Sequence, residues 1–309
     1  MSGDHRKITV AAVQTPPAST DIQKNVERML HYTEEAAQKG ARIVGFCELG
    51  TTPYMCYIHN SSFFDWAQKI PGPITEAFGE KAKELGIYIV LTMYEKGELE
   101  GEYYNSAVLI GPGGKIIEGE RHDGAKAKCY RKVHIPIVVE ESDDPKAYHP
   151  GRLRIDEKYY FKPGPGFVVF RLPEVTLGIL ICYDKRFSEA WRILTLMGAE
   201  VIFYPLSTFA GWKAQTGTFE LRTYAINHGL FIVCANRSGK ERLGNEEREF
   251  AGDSSIIAPD GEILAQASDQ TKPEVLVAEI DLEEVKKERL RFPILRDRRP
   301  ELYGLLTKI

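Results

Sequence analysis

The sequence predicts one layered domain of the α/β or α+β type, with helices packed on mixed sheets. Three observations carry this. Apolar strand-like runs alternate with segments of helical period along most of the chain. Two hairpin turns interrupt that alternation. The runs at 43–47, 177–181 and 200–204 read as apolar on both faces, as strands covered on both sides do. No Pro, Gly or Ser-rich linker divides the 309 residues and no fixed period repeats, so 1–309 is read as a single domain.

The elements follow in order. Residues 7–14 (KITVAAVQ) form an opening strand. Asp21 caps a helix running to about Lys39, whose inner face carries Ile22, Val26, Met29, Leu30, Thr33, Ala36 and Ala37, and Gly40 stops it. ARIVGFCE is a short buried strand. A second helix spans about Thr75–Leu85, ends at Gly86, and leads into the strand IYIVLTMYE. Turns at Pro112-Gly113-Gly114 and Pro259-Asp260-Gly261 make hairpins of SAVLIGPGGKIIEGE and SSIIAPDGEILAQ. Between them, VTLGILICYDKRFSEAWRILTLMGAEVIFYP reads as strand, sharp turn, helix and strand. The charged tail 283–301 mixes basic residues with Glu283, Glu284, Glu288, Asp297 and Glu301, which predicts a solvated helix and an extended arm rather than a basic binding patch.

Composition excludes several functions. With 43% hydrophobic and 27% charged residues the chain is globular, neither disordered nor collagen-like. A net charge of -4, from 40 basic and 44 acidic residues, leaves no basic excess to neutralise phosphates, so no nucleic-acid partner is expected. The apolar runs fall far short of the roughly 20 residues that span a bilayer, so no membrane partner is expected. MSGDHRKITV lacks the apolar core of a secretory signal, and a cytoplasmic location is the expectation. Five cysteines (Cys47, Cys56, Cys129, Cys182 and Cys234) form no CxxC, and the seven histidines form no HxxxH or HExxH. No metal site, cofactor or disulfide framework is therefore expected, and a cysteine that matters does so as a single thiol.

Three residues stand out chemically. Cys182 ends the run Leu177–Ile181 just before the turn Tyr183-Asp184-Lys185-Arg186 and a helix starting near Ser188. There a thiol leaves the core and meets free backbone N–H groups that favour a thiolate or an oxyanion, although a small buried cysteine fits the same pattern. Glu48 follows the buried strand IVGFC, where desolvation makes a carboxylate a better base; a surface cap is the alternative. Lys132, in CYRKVHIP, is either a solvated edge charge or a buried ammonium facing the other two. Cys47, Cys129 and Cys234 flank or lie in apolar segments and read as structural.

As a set these residues carry a resemblance. FCELGTTPY, YRKVHIP and GILICYDKRFSEAWR resemble, in the same order, the Glu, Lys and Cys signature blocks of the nitrilase (carbon–nitrogen hydrolase) superfamily. The likeness extends over nearly the whole chain. It implies a four-layer α-β-β-α sandwich, a thiol nucleophile at Cys182, a base at Glu48, an oxyanion-holding ammonium at Lys132, and a second active-site carboxylate at Glu157. Within the superfamily the chain looks most like N-carbamoyl-D-amino-acid amidohydrolases. That branch implies a small-molecule substrate with a carboxylate, bound by Lys185 and Arg186, with His134 and Tyr183 nearby. An internal acid such as Asp184 or Glu189 paired with Arg186, and plain packing for His134 near Pro136, are the alternatives. Tyr54, Tyr57 and Phe63 either wall the pocket or simply pack. The tail RDRRPELYG resembles N-carbamoylputrescine amidases, and CYDKRF resembles ω-amidases. Where the amidohydrolase pattern has Arg, Asn and His, this chain has Lys185, Tyr183 and Ile155. The expected reaction is hydrolysis of an N-carbamoyl amino acid through a cysteine thioester. Alternatives are N-carbamoylputrescine amidase, β-ureidopropionase or ω-amidase activity, a catalytically inactive binding domain, and a papain-like pairing of Cys182 with His134 or His228. The family also implies a homodimer or homotetramer, with the arm of about 283–309 at a subunit interface.

Overall fold

The computed structural model of the chain describes residues 6–142, 151–211 and 217–308. Two sheets stack face to face. The first orders its strands Glu274–Asp281, Lys7–Gln14, Ile43–Gly45, Tyr88–Lys96, Tyr103–Ile110 and Tyr130–Arg131. The strands at 7–14, 43–45 and 88–96 run parallel, and the outer pairings are antiparallel. The second sheet orders Ile263–Gln266, Ser255–Ile257, Phe231–Ala235, Val201–Pro205, Thr176–Ile179, Val168–Arg171, Gly119–Arg121 and Lys126–Ala127. Its parallel centre is formed by the strands at 176–179, 201–205 and 231–235.

Alternation along the opening strand shows why this stack is stable. Ile8, Val10 and Ala12 point into the core shared with the second sheet, while Ala11 and Val13 join the core under helices α1 (Ile22–Gln38) and α2 (Pro73–Leu85). On the far side, helices α3 (Ser188–Leu196) and α4 (Gly217–His228) cover the second sheet through Trp191, Leu194, Leu221 and Ala225. Trp191 of α3 stacks on Tyr224 of α4 at 4.6 Å between ring centroids. The result is the α-β-β-α order that the resemblance implies.

Local signals place the helices. The Asp21 carboxylate accepts from the backbone N–H of Gln23 at 3.1 Å at the start of α1. Gly86, with φ +69°, closes α2 in the left-handed conformation. α2 begins at Pro73, two residues before the expected Thr75, because proline at the first turn has no N–H to satisfy. The hairpin at 255–266 forms as read. The one after Tyr103–Ile110 does so only briefly. Its return leg donates from Ile117 N to Leu109 O, then crosses to the second sheet at Gly119–Arg121. Gly119 makes that crossing possible, since a Cβ there would sit 2.3 Å from Val168 Cγ1.

The tail forms helix α5 (Glu283–Arg291), tied down by Arg289 Nη2 donating to Ala199 O at 2.7 Å. Beyond it the chain coils into short 3-10 turns at Pro300–Leu302 and Gly304–Thr307 instead of one extended arm, and Leu290, Phe292, Leu302, Leu305 and Leu306 remain exposed. Among the described residues no helix is long and apolar enough to cross a membrane. At the sheet–sheet interface a Cβ on Gly45 would lie 2.6 Å from Phe203 Cδ1. Gly45→Ala is therefore expected to cost about 1–3 kcal/mol by overpacking, read as a lower urea midpoint at unchanged slope.

Candidate active site

Strand alternation turns Lys132 inward. Tyr130 is buried, Arg131 points outward to Glu95 (Nη2–Oε1, 2.5 Å), and Lys132 continues the inward side just past the edge strand. Its ammonium is fully buried and lies 2.7 Å from Glu48 Oε1 and 2.8 and 2.7 Å from the two oxygens of Glu157. Glu157 begins the 3-10 turn that follows the strand Gly151–Asp156, and its Oε1 also accepts from the Tyr54 hydroxyl at 2.8 Å. Asn105 Nδ2 donates to Glu48 Oε1 at 2.7 Å. The other Glu48 oxygen, Oε2, is buried with no hydrogen-bond partner among the described residues.

This charge cluster decides protonation. Burial pushes the Lys132 pKa down, but Glu157 and Glu48 outweigh it and hold it well above the usual ammonium value. Burial raises the Glu157 carboxyl to about 7, opposed by Lys132 and assisted by Glu48. The same dry surroundings raise the Cys182 thiol; Glu48 raises it further, while Lys132 pulls the other way. The thiol therefore needs a base beside it to ionise.

Cys182 has φ +46°, a conformation that side-chain-bearing residues seldom adopt, and opens the 3-10 turn Cys182–Arg186. Buried Asp184 fixes that turn. It accepts from Ile181 N at 3.0 Å, Tyr130 Oη at 2.6 Å and His134 N at 3.0 Å, and His134 Nδ1 lies 2.8 Å away. One carboxylate thus ties the residue before Cys182 to the residues two before and two after Lys132. Cys182, Glu157 and Tyr54 share a cavity of about 220 Å³ with Tyr183, Lys185, Arg186 and Cys234.

Glu48 has its own anchor. Arg237 is almost completely buried, and its Nη2 donates to the carbonyls of Glu48 (3.3 Å), Leu49 (3.0 Å) and Thr52 (2.9 Å). Its Nη1 pairs with Glu241, which accepts from Tyr54 N at 2.8 Å and Ala18 N at 2.7 Å. Leu49, with φ +50°, is held in this grip. Asp184, Arg237, Glu241 and Asn105 escaped the sequence reading because each acts on backbone or carboxylate partners distant in sequence. The only available signal was charged or polar residues inside apolar surroundings, as in CANRSG.

The remaining candidates divide. Lys185 and Arg186 line the cavity, but both pair with Glu220 of α4, Arg186 Nη1 at 2.6 Å. Burial pushes the Glu220 carboxyl up, and Lys185 and Arg186 outweigh it and hold it below its usual value. The internal acid paired with Arg186 is therefore Glu220. His134 does not line the cavity; its ring stacks on Phe187 at 3.6 Å and serves Asp184. His228 is also outside the cavity, bonded through Nδ1 to Tyr224 O at 2.9 Å, with burial lowering its pKa to about 4. Neither histidine stands in the cavity as a partner for Cys182. Tyr54 walls the cavity, whereas Tyr57 packs on Phe209 and Phe63 stacks on Trp66. Cys234, read as structural, lines the cavity. Residues 143–150, within the long segment between Lys132 and Glu157, and Trp212 of YPLSTFAGW lie outside the described residues.

The sequence matches the carbon-nitrogen hydrolase family over residues 9–289. The chain belongs to that family. This carbon–nitrogen hydrolase is 36% identical to an N-carbamoylputrescine amidase of Solanum lycopersicum, covering 100% of the chain and 98% of the relative. It is 32% identical to an omega-amidase of Xenopus laevis, covering 98% of each. A carbon-nitrogen hydrolase structure from Helicobacter pylori G27 superposes with a TM-score of 0.83 at 30% identity, over 98% of this chain and 99% of that one. The names of these relatives match the likenesses of RDRRPELYG and CYDKRF rather than the N-carbamoyl-D-amino-acid likeness.

Between pH 4.5 and about 7 the unfolded chain releases the Glu157 proton while the native cluster keeps it. Raising pH through that window should therefore cost wild-type stability, by about 3 kcal/mol at most. Glu157→Gln cannot titrate there. Urea unfolding of both proteins across the window should show the slope in the wild type alone.

Proposed function

We propose that this carbon–nitrogen hydrolase is an amidase acting on a carbamoylated amine, with N-carbamoylputrescine as its substrate. One observation carries the choice of branch. Among the described lining residues, the two cations available to a substrate carboxylate, Lys185 and Arg186, are both held by Glu220. An N-carbamoyl-D-amino acid would have to compete with that internal carboxylate. The similarity to N-carbamoylputrescine amidases supports the same reading.

The chemistry follows from the geometry. Glu48 Oε2, the buried oxygen with no partner, takes the Cys182 proton as the sulfur attacks the carbamoyl carbon. Lys132 Nζ and the Tyr183 backbone N–H hold the negative charge that develops on the carbamoyl oxygen. Glu48 returns the proton to the departing nitrogen, ammonia leaves, and a carbamoyl thioester remains. Water, deprotonated by Glu48, adds to the thioester and the thiol departs. The carbamic acid then breaks down to carbon dioxide and the free amine. Both oxygens of Glu157 are engaged by Lys132 and Tyr54, so Glu157 positions the ammonium rather than serving as the base.

Arg186 keeps about half its side chain exposed (51%) at the rim, which favours an ω-amidase reading as the second choice. Ammonia release from N-carbamoylputrescine, N-carbamoyl-D-, L- and β-amino acids and α-ketoglutaramate separates the readings. A kcat/KM at least tenfold higher for N-carbamoylputrescine is expected, and preference for any carboxylate-bearing compound overturns it. Cys182→Ala and Glu48→Gln should each lower kcat by about a thousandfold or more. Iodoacetamide should modify Cys182 faster than Cys234; equal rates would favour a binding-only domain. The exposed leucines of the C-terminal segment support a homodimer or homotetramer that covers the arm, and sedimentation of a chain truncated after residue 291 should show a smaller species.

A further inference from the structure

Among the described residues, three non-glycine residues have positive φ: Leu49 beside Glu48, Cys182 itself, and Asp253, with φ +60°. Strain of this kind gathers where a side chain must be aimed. The first two bear on the reacting groups. Asp253 lines the same cavity as Cys182, and no catalytic step above uses it.

Its surroundings define it as a held carboxylate. Oδ2 accepts from the Thr218 hydroxyl at 2.7 Å, and Oδ1 accepts from Gln266 Nε2 at 2.6 Å. Thr218 lines the cavity as well. Among the described residues no lysine, arginine or histidine pairs with Asp253, in contrast to Glu220 a short distance away on α4. Among the described residues these two donors leave each oxygen a lone pair for a ligand, and no cation offsets the charge.

Register places this carboxylate at the same end of the second sheet as the sulfur. Ile179, Phe203, Val233 and Ile256 lie on one rung of the second sheet. Cys182 lies just beyond its strand, which ends at Ile179, and Asp253 lies just before the antiparallel strand that starts at Ser255, so both sit in turns at the same end of the sheet. Three strand spacings separate Ile179 from Ile256 on that rung, roughly 14 Å. An extended carbamoylated four-carbon diamine spans roughly 7–8 Å from its carbonyl carbon to its terminal nitrogen. One charge-assisted contact of about 2.8 Å at its far end brings this to roughly 10–11 Å, within the span between the two strands.

We propose that Asp253, oriented by Thr218, is the specificity-determining anchor for the ammonium at the far end of the substrate. This rests on the amidase reading above and adds the residue that selects an amine over a carboxylate. Asparagine tolerates left-handed φ nearly as well as aspartate, so Asp253→Asn removes the charge while keeping the turn.

The test compares kcat/KM for N-carbamoylputrescine with that for N-pentylurea, which carries a methyl group in place of the ammonium. The wild type should favour the amine, and D253N should lower that preference about 10- to 100-fold, mainly through KM. Thr218→Val should lower it in the same direction by less, and it carries the test if D253N does not fold. If the wild type hydrolyses N-carbamoylputrescine and both variants keep its preference, the anchor is wrong and the amidase reading stands. If the wild type hydrolyses neither compound but releases ammonia from a carboxylate-bearing amide, the reading and the anchor fail together.

Discussion

The rest of the molecule is organised around one ammonium that is cut off from bulk solvent. Lys132 is fully buried, and a lone charge in that place would simply lose its proton. It stays charged because Glu48 and Glu157 close on it from two directions. The dependence is mutual, since removing one member of a buried ion cluster typically costs about 3–5 kcal/mol. Burial is the main reason that Glu157 holds its proton to about pH 7, with Glu48 adding to it and Lys132 opposing it. The cluster therefore keeps Lys132 positive and leaves one Glu48 oxygen open, the two conditions that a thiol in a dry cavity needs.

Holding that cluster to the sulfur is the task of buried groups outside the reaction. Asp184 fastens the turn of Cys182 to the segment carrying Lys132. Arg237 and Glu241 fasten the loop carrying Glu48 to the second sheet. Each sits where hydrogen bonds to charged groups are strongest. The backbone strain at Leu49 and Cys182 persists because these clamps over-determine both positions.

Much of this was legible in the chain. Period and punctuation placed α1, α2, α3 and the central strands, because Asp21, Gly40 and Gly86 act locally. Glu48, Lys132 and Cys182 were visible as polar residues at the ends of apolar runs. What escaped notice depends on distance in sequence. The return leg after Ile110 looks like an ordinary hairpin until the second sheet captures it at Gly119. The pairing of Lys185 and Arg186 with Glu220 requires knowing that α4 packs beside the Cys182 turn. His134 looked like a pocket residue because its neighbour is Lys132, yet its ring belongs to Asp184 and Phe187.

The strand order of the first sheet bears on how the protein is made. Lys7–Gln14 lies between Ile43–Gly45 and Glu274–Asp281, and it pairs with the latter along its full eight residues. A chain emerging from the ribosome therefore carries this strand half-partnered until residues 274–281 have been synthesised. Arg237 likewise reaches the Glu48 loop only late in synthesis. The proposed nucleophile and its proposed base are thus secured against each other only after residue 237 has joined the fold, and a chain terminated before that point would release an inert thiol rather than a loosely controlled hydrolase.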